Sequence, residues 1–515
     1  MKQPVVLVVL DGWGIGSHGS EDPIHVLHPP TIEYIKQNYP SGALQASGIS
    51  VGLPWNEEGN SEVGHLTMGI GRIIYQHYPR ITMAARDGSL EKNEVLQKAV
   101  EHVKKNSGTL HLLGLIGGGN IHSSFEHLTT LITIAQNQNI PFAIDAITDG
   151  RDSDPHSAYS FIKQLPQERI ASLSGRFYAM DRDQHWDFTQ QAYQAITGEG
   201  ASIATSEIEP HIKTTYEKKL NDEYIAPVTL NKGELSLKDN DALFIFNFRE
   251  DRVRQIAESL VHTSFSKFPT KRFSNLFVAS MTQIRHDIPI PAAFPPQKIE
   301  TSLGKVLSQA GKIQLRVAET QKYAHVTFFF NGLVDKPFPN EYRVLIPSRT
   351  VSRQDQDPVM MAPAITARAI QAVEENTFDF ILVNYANPDM IAHTGNYDAA
   401  KKAIQVIDAE LSKLISAVIR TDTTLIVTSD HGNIERMFNP VTGEPETKHD
   451  ISPVPIYLIS KRSYKPQNPS FVAERERYTI GMLADIAPTV LEIMNVPQPP
   501  SMTGKSLLSQ LLNQQ

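Results

Sequence analysis

The chain has 515 residues, 40% hydrophobic, 20% charged and 8% aromatic, with a net charge of −8. At roughly 150 residues per domain this length implies two to four domains with ample chain for a core, and the apolar content excludes a mostly disordered protein. The acidic balance offers no basic field for nucleic acid, and the absence of cysteine excludes disulfides, zinc–thiolate sites, iron–sulfur clusters and cysteine nucleophiles.

The first apolar run, Pro4 to Leu10, is as long as a strand and ends at Asp11 without a small-residue cleavage site, so a signal peptide is not expected. No stretch approaches the ~20 apolar residues of a membrane helix. A cytoplasmic protein is expected. Further strands are predicted at Leu110–Leu115, Phe142–Ile147, Leu243–Phe246, Asn275–Ala279, Phe380–Asn384 and Thr424–Thr428, and helices at Ala364–Asn376, Asp398–Ile419 and Leu483–Met494. The alternation predicts an α/β class with largely parallel sheets.

Ligand-type residues fall at both ends of the chain and arginines in the middle. The economical organisation is a metal-binding domain formed by residues 1–76 and 297–515. A second domain, residues 77–296, would be inserted between them, with the two connections as a hinge. The Pro-rich Ile288–Pro296 marks the far boundary.

Asp11 stands where the first strand ends, before Gly12-Trp13-Gly14, and Asp430-His431 follows the strand at Thr424–Thr428. Ligands in open α/β sheets collect beyond carboxyl ends of strands, although an Asp before Gly is also an ordinary turn. Asp389 and His393 are four apart and would share a helical face; a surface pair has the same spacing. His449 alone reads more simply as structural. Ser61, in Gly59-Asn60-Ser61-Glu62-Val63-Gly64-His65, reads on its own as a helix N-cap, and functionally as a nucleophile activated by a metal or base. Taken together, oxygen and imidazole donors suit manganese, magnesium or zinc.

The middle of the chain carries Asp149-Gly150-Arg151-Asp152, Gly175-Arg176, Asp181-Arg182-Asp183 and Arg249-Glu250-Asp251-Arg252. Planar guanidinium forks suit carboxylate and phosphate and predict a small polyanionic substrate, unless each arginine is consumed by its neighbouring aspartate. His122 is a weaker phosphate candidate. Lys322, before Phe328-Phe329-Phe330, would neutralise charge on a transferring phosphoryl group or simply be solvated.

VVLVVLDGWGIG, GNSEVGH, DGRD, GRFYAMDRD, NFREDR, AETQKYAHVTFFFNG, NPDMIAHTGN, TSDHGN and DIAPTVL run in order along nearly the whole chain. This series resembles the cofactor-independent (2,3-bisphosphoglycerate-independent) phosphoglycerate mutases of the alkaline phosphatase superfamily. The resemblance implies an alkaline-phosphatase-like domain with an inserted phosphotransferase domain. It also implies a two-metal centre, manganese before magnesium, cobalt or zinc, with no organic cofactor. One metal would take Asp389, His393 and His449; the other would take Asp11, Ser61, Asp430 and His431. Arg151, Arg176, Arg182, Arg249, Arg252, His122, Asp152 and Lys322 match positions that hold substrate or assist transfer. The implied reaction interconverts 3-phosphoglycerate and 2-phosphoglycerate through phosphoserine at Ser61, with Asp152 as a proton acceptor and the two domains closing to exclude water. A phosphatase, a phosphodiesterase, a phosphopentomutase and a non-catalytic scaffold are the alternatives. The partner is expected to be phosphoglycerate alone, with neither nucleic acid nor membrane, and the protein a monomer.

The chain departs from the family pattern in places. Gly117-Gly118-Gly119-Asn120 replaces Ser-Asp-Gly-Gly, His185 replaces an arginine, Asp22-Pro23 replaces Asn-Ala, and Gln321 replaces a glutamate. No expected ligand is lost.

Overall fold

The computed structural model describes residues 3–513 except 263 and 467. The chain divides into two compact units, Met1–Tyr75 with Lys298–Gln515, and Gln76–Gln297.

The first unit is built on an eight-stranded sheet. Its order is Glu341–Ile346, Gln314–Glu319, Phe380–Tyr385, Val5–Leu10, Thr424–Thr428, Val454–Ile459, Ser41–Gln45 and Thr479–Met482. The first five strands are mutually parallel, and Val454–Ile459 runs against both neighbours. Val5–Leu10 is fully buried along its length, because a central parallel strand is covered on both faces and reads as an unbroken apolar run. The pleat sorts its side chains. Val6, Val8 and Leu10 enter one core with helices Ala362–Glu375 and Tyr397–Arg420, whereas Val5, Leu7 and Val9 enter another with helix Ile486–Ile493. Register pairs Leu10 with Tyr385 and Val9 with Thr428. The chain therefore leaves three adjacent strands at one level, just before Asp11, Asp389 and Asp430.

The expected helix at Leu483–Met494 divides into a 3₁₀ turn, Leu483–Asp485, and the α-helix Ile486–Ile493. The strand expected at Asn275–Ala279 lies at Phe277–Thr282. Asn275 adopts a left-handed φ of 59°, which no strand accommodates.

The second unit has its own eight-stranded sheet. Its order is Ala292–Phe294, Phe277–Thr282, Ala242–Ile245, Leu110–Ile116, Phe142–Thr148, Ile170–Gly175, Val228–Leu230 and Ser202–Ile203. All neighbours are parallel except Ile170–Gly175 against Val228–Leu230. Leu110 and Leu112 face one core; Leu113 and Leu115 face the other.

A buried charged pair interrupts this apolar interior. His111 Nδ1 donates to Asp145 at 2.8 Å, and His111 Nε2 lies 3.5 Å from Asp241. Ser172 Oγ donates to the second Asp145 oxygen at 2.6 Å. Burial would lower the His111 pKa, but the Asp145 charge and hydrogen bond, reinforced by Asp241, raise it to about 9. The resulting stability is complete below the unfolded-state value near 6.5 and is lost as pH rises through 9. Thermal melts should show Tm declining between pH 7 and pH 9.5. In His111→Gln the protein should be weaker by about 3 kcal/mol at pH 7, with that alkaline slope reduced.

Candidate metal centre and anion cluster

Asp11, Asp389 and Asp430 are all buried. Asp11 leaves the central strand, and its carbonyl accepts from the Asp389 amide at 2.9 Å, which ties two of the loops together. Gly12 follows with φ +73°, and a Cβ there would stand 2.8 Å from Asp389 Cβ. Gly64 lies against Asp430, where a Cβ would meet the Asp430 carbonyl oxygen at 2.6 Å. Both glycines are required for the close approach of backbone to ligand loop.

Lys322 comes from the turn Thr320–Lys322 after the strand Gln314–Glu319. Its Nζ donates to Asp11 Oδ1 at 2.5 Å, to Asp389 Oδ2 at 2.7 Å and to Ser61 Oγ at 2.7 Å. Burial alone would lower the lysine pKa; the charges of Asp11, Asp389 and Asp430 outweigh it and hold the ammonium above its usual range. Burial would conversely raise Asp11 and Asp389, but the Lys322 charge, with His431 at Asp11 and His393 at Asp389, holds both below the usual carboxylate range.

Ser61 is the first residue of helix Ser61–Ile70. The N-cap is Asn60, whose side chain accepts from the Val63 amide at 3.1 Å. The capping role that Ser61 suggests in isolation is therefore taken by its neighbour, and Ser61 Oγ turns inward. It lies 3.1 Å from Asp11 Oδ1 and 3.0 Å from His431 Nε2.

Three imidazoles complete the cluster. His393 Nδ1 donates to the Thr447 carbonyl at 2.8 Å and His449 Nδ1 to the Gly59 carbonyl at 2.8 Å. Each carbonyl engages Nδ1, so Nε2 is the nitrogen turned to the cluster; at His393 the hydrogen bond to Asp389 favours the protonated ring, and a cation would have to displace that proton. These Nε2 atoms lie 3.2 and 3.3 Å from Asp389 Oδ1 and 3.2 Å from each other. Donor atoms of Asp389, His393 and His449 come within 4.8 Å of one another, as do those of Asp11, Asp389 and His431, and of Asp11, His65 and Asp430.

The residues present fit divalent cations. Asp430 Oδ2 is buried, with imidazoles near it, His65 Nδ1 at 3.1 Å and His431 Nε2 at 3.6 Å, and an all-oxygen and imidazole donor set of this kind suits a divalent cation. Three carboxylates face one ammonium, so the cluster retains negative charge. Burial would lower the His431 pKa, but Asp430, Asp11 and Asp389 raise it to about 10. A cation must therefore displace a proton there.

His65, Asn384, Asn433 and Glu435 have no role in the sequence reading. His65 Nδ1 lies 3.1 Å from Asp430 Oδ2, and Asn384 Nδ2 donates to Asp11 Oδ2 at 2.7 Å. Asn433 Nδ2 donates to Asp389 Oδ1 at 2.8 Å, and Glu435 holds the Gly14 and Asn433 amides. The spacing of Ser61 and His65, one helical turn apart, is the one sequence signal that connects any of these to the centre.

In the second unit, Asp149 follows the strand Phe142–Thr148 and folds the next turn by accepting from the Arg151 and Asp152 amides. Arg176 is buried, and Nη1 donates to Asp149 at 2.5 Å and to Asp152 at 2.6 Å. His122 lies 3.8 Å from Asp152 and 3.7 Å from Asp251. Burial and the Arg176 charge lower its pKa to about 4, so it is neutral at pH 7. Arg182 and Arg249 are about half exposed and share Asp251, at 2.9 and 3.2 Å. Arg151 lies 3.7 Å from Glu223. Among the described residues Arg252 forms no ion pair within 4.0 Å; burial first, then the charges of Arg182, Arg176 and Arg151, lower its pKa. Local aspartates thus claim part of the arginine charge and leave a cationic surplus around Arg252. The altered glycine segment lies against Asp149, Asp152 and Ser153. A Cβ at Gly117 would stand 2.4 Å from Ser153 Oγ, so Ser153 fills the space that a residue-117 side chain would need.

A family model described as the Metalloenzyme superfamily matches residues 3–498. The 2,3-bisphosphoglycerate-independent phosphoglycerate mutase of Synechococcus sp. (strain JA-2-3B'a(2-13)) is 41% identical over 512 residues, 98% of this chain and 96% of that protein. The protein of the same name from Clostridioides difficile (strain 630) is 41% identical over 523 residues, covering 99% of this chain and all of its own. A crystal structure of Leishmania mexicana phosphoglycerate mutase, described as at low cobalt concentration, is similar with a TM-score of 0.51 and 28% identity, over 98% of this chain and 97% of that one.

Two outcomes follow for the first unit. Asn60→Ala should cost about 1 kcal/mol in a denaturant titration, whereas Ser61→Ala should leave the midpoint nearly unchanged. Divalent-metal affinity, measured by calorimetry in buffers of different ionisation enthalpy, should show proton release and rise by about tenfold per pH unit for each proton displaced.

Proposed function

The chain belongs to the 2,3-bisphosphoglycerate-independent phosphoglycerate mutases, and on that premise we propose that Ser61 is the nucleophile through which it interconverts 3-phosphoglycerate and 2-phosphoglycerate. The observation that carries this assignment is Ser61 Oγ itself, relieved of capping by Asn60 and held within 3.1 Å of Asp11, His431 and Lys322.

We propose two divalent ions, manganese before other metals, held by Asp389, His393 and His449 and by Asp11, Ser61, Asp430 and His431, with His65 beside the second set. When bound, such ions supply Lewis-acid polarisation of a phosphoryl group and favour the serine alkoxide. The rest belongs to side chains. Ser61 Oγ attacks phosphorus, the ester bond to glycerate breaks, the Ser61 proton passes to the departing glycerate oxygen, and phosphoserine forms. Lys322, already 2.7 Å from Oγ, offsets charge on the equatorial oxygens. Arg151, Arg176, Arg182, Arg249 and Arg252, with His122, hold the glycerate carboxylate and hydroxyls, Arg176 acting largely by fixing Asp152. The second hydroxyl of glycerate then attacks phosphoserine, passing its proton to Asp152; the bond from phosphorus to Ser61 Oγ breaks, and that proton returns to Ser61 as Asp152 gives it up. Residues 1–76 and 297–515 would serve metal binding and residues 77–296 substrate binding, in a cytoplasmic monomer.

Among the described residues no helix is long and apolar enough to cross a membrane. The test is phosphoglycerate interconversion with added Mn2+ and without 2,3-bisphosphoglycerate. Wild type should turn over, Ser61→Ala should lose the reaction, and chelation should abolish it reversibly. Phosphate release without interconversion would indicate a hydrolase instead. Arg252→Ala should raise KM by about tenfold or more, the scale of one charge-assisted hydrogen bond.

A further inference from the structure

A second group of imidazoles lies outside this machinery, in the first unit. His18, in the loop after Gly16, and His25, in the short helix Pro23–Leu27, line a cleft together with Trp13, His28, Lys36 and Glu476. Lys36 is paired with Glu476 at 2.6 Å, so the lysine charge is offset locally.

His18 Nδ1 and His25 Nδ1 are 3.4 Å apart. Two nitrogens bound to one tetrahedral Zn2+ at about 2.0–2.1 Å stand about 3.3–3.4 Å apart. Right-angled coordination at the same bond length would require about 2.9 Å. The backbone aims both rings. His18 takes a left-handed φ of 63°, unusual for a residue with a Cβ. Asp22 caps the helix through the Ile24 and His25 amides at 2.9 and 3.1 Å, which orients the turn bearing His25. The His28 ring centroid is 5.1 Å from that of His25, near enough for a rotamer change to bring a third nitrogen. The Glu21 and Asp22 carboxylates provide the negative field that a cation needs.

We propose that His18 and His25 form a labile tetrahedral Zn2+ site, separate from the catalytic centre, with His28 or water completing the coordination. It does not depend on the mutase assignment, because none of its residues belongs to that site.

The experiment uses the full chain saturated with Mn2+, titrated with Zn2+ against a chromophoric chelator, while free Mn2+ is followed by its six-line paramagnetic resonance. Exchange at the catalytic centre would release one Mn2+ for each Zn2+ bound, so wild type should take up one equivalent of Zn2+ more than the Mn2+ it releases. Loss of a second-sphere partner costs about 10- to 100-fold in metal affinity, so losing a ligand in His25→Gln or His18→Asn should weaken this uptake by about tenfold or more. Mutase activity in Mn2+ should be unchanged in both. Asn accepts the left-handed backbone at position 18, and an unchanged circular dichroism spectrum and melt identify a folded variant. No additional Zn2+ equivalent, Zn2+ uptake only with stoichiometric Mn2+ release, or equal uptake by wild type and both variants would each overturn the proposal.

Discussion

Mutual repulsion among Asp11, Asp389 and Asp430 is the constraint around which the first unit is organised. Three carboxylates removed from water cannot coexist without cationic compensation. Lys322 supplies one charge from the turn after a fourth strand, protonated imidazole supplies more at His431, and the divalent ions proposed for this centre would supply the remainder. The fold makes the crowding possible because parallel strands in register end at one level, so residues remote in sequence leave the sheet side by side. A mixed or slipped register at Val5–Leu10 would separate Asp11 from Asp389 and remove the demand for a cation.

The two units use charge in different ways. The metal centre concentrates it in a buried site, where each ligand is held by a second hydrogen bond. The arginine cluster is wetter and partly self-neutralised. Arg176 is absorbed by Asp149 and Asp152, and Asp251 divides its attention between Arg182 and Arg249. What remains is a field rather than a set of free forks, with the charges of Arg182, Arg176 and Arg151 all acting on Arg252, although burial lowers its pKa more. A small anion bearing both carboxylate and phosphate suits such a field better than a neutral substrate would.

Much of this was legible in the chain because it is local. The Val5–Leu10 run is apolar throughout since both faces are covered, and Asp389 and His393 share a face since four residues make about one helical turn. The nucleophilic role proposed for Ser61 was legible only as the weaker of two readings, because a serine at a helix start looks like a cap; distinguishing it from Asn60 requires knowing which side chain turns back to the Val63 amide. His65, Asn384, Asn433 and Glu435 were not legible as a group. Their partners are up to hundreds of residues away, and nothing in a single amide or carboxylate announces a hydrogen bond made across a sheet. The shift of one strand past Asn275 has the same origin in miniature, a backbone angle that residue type permits but does not dictate.

Gly12 and Gly64 have a bearing on heredity. Neither carries a functional group, yet a methyl at either would strike the backbone or Cβ of a ligand residue. The genetic target of this centre is therefore larger than its chemistry. Alleles that change only these two hydrogens to methyl groups belong with the ligand substitutions in phenotype, and a catalogue of damaging variants compiled from reactive side chains alone would miss them.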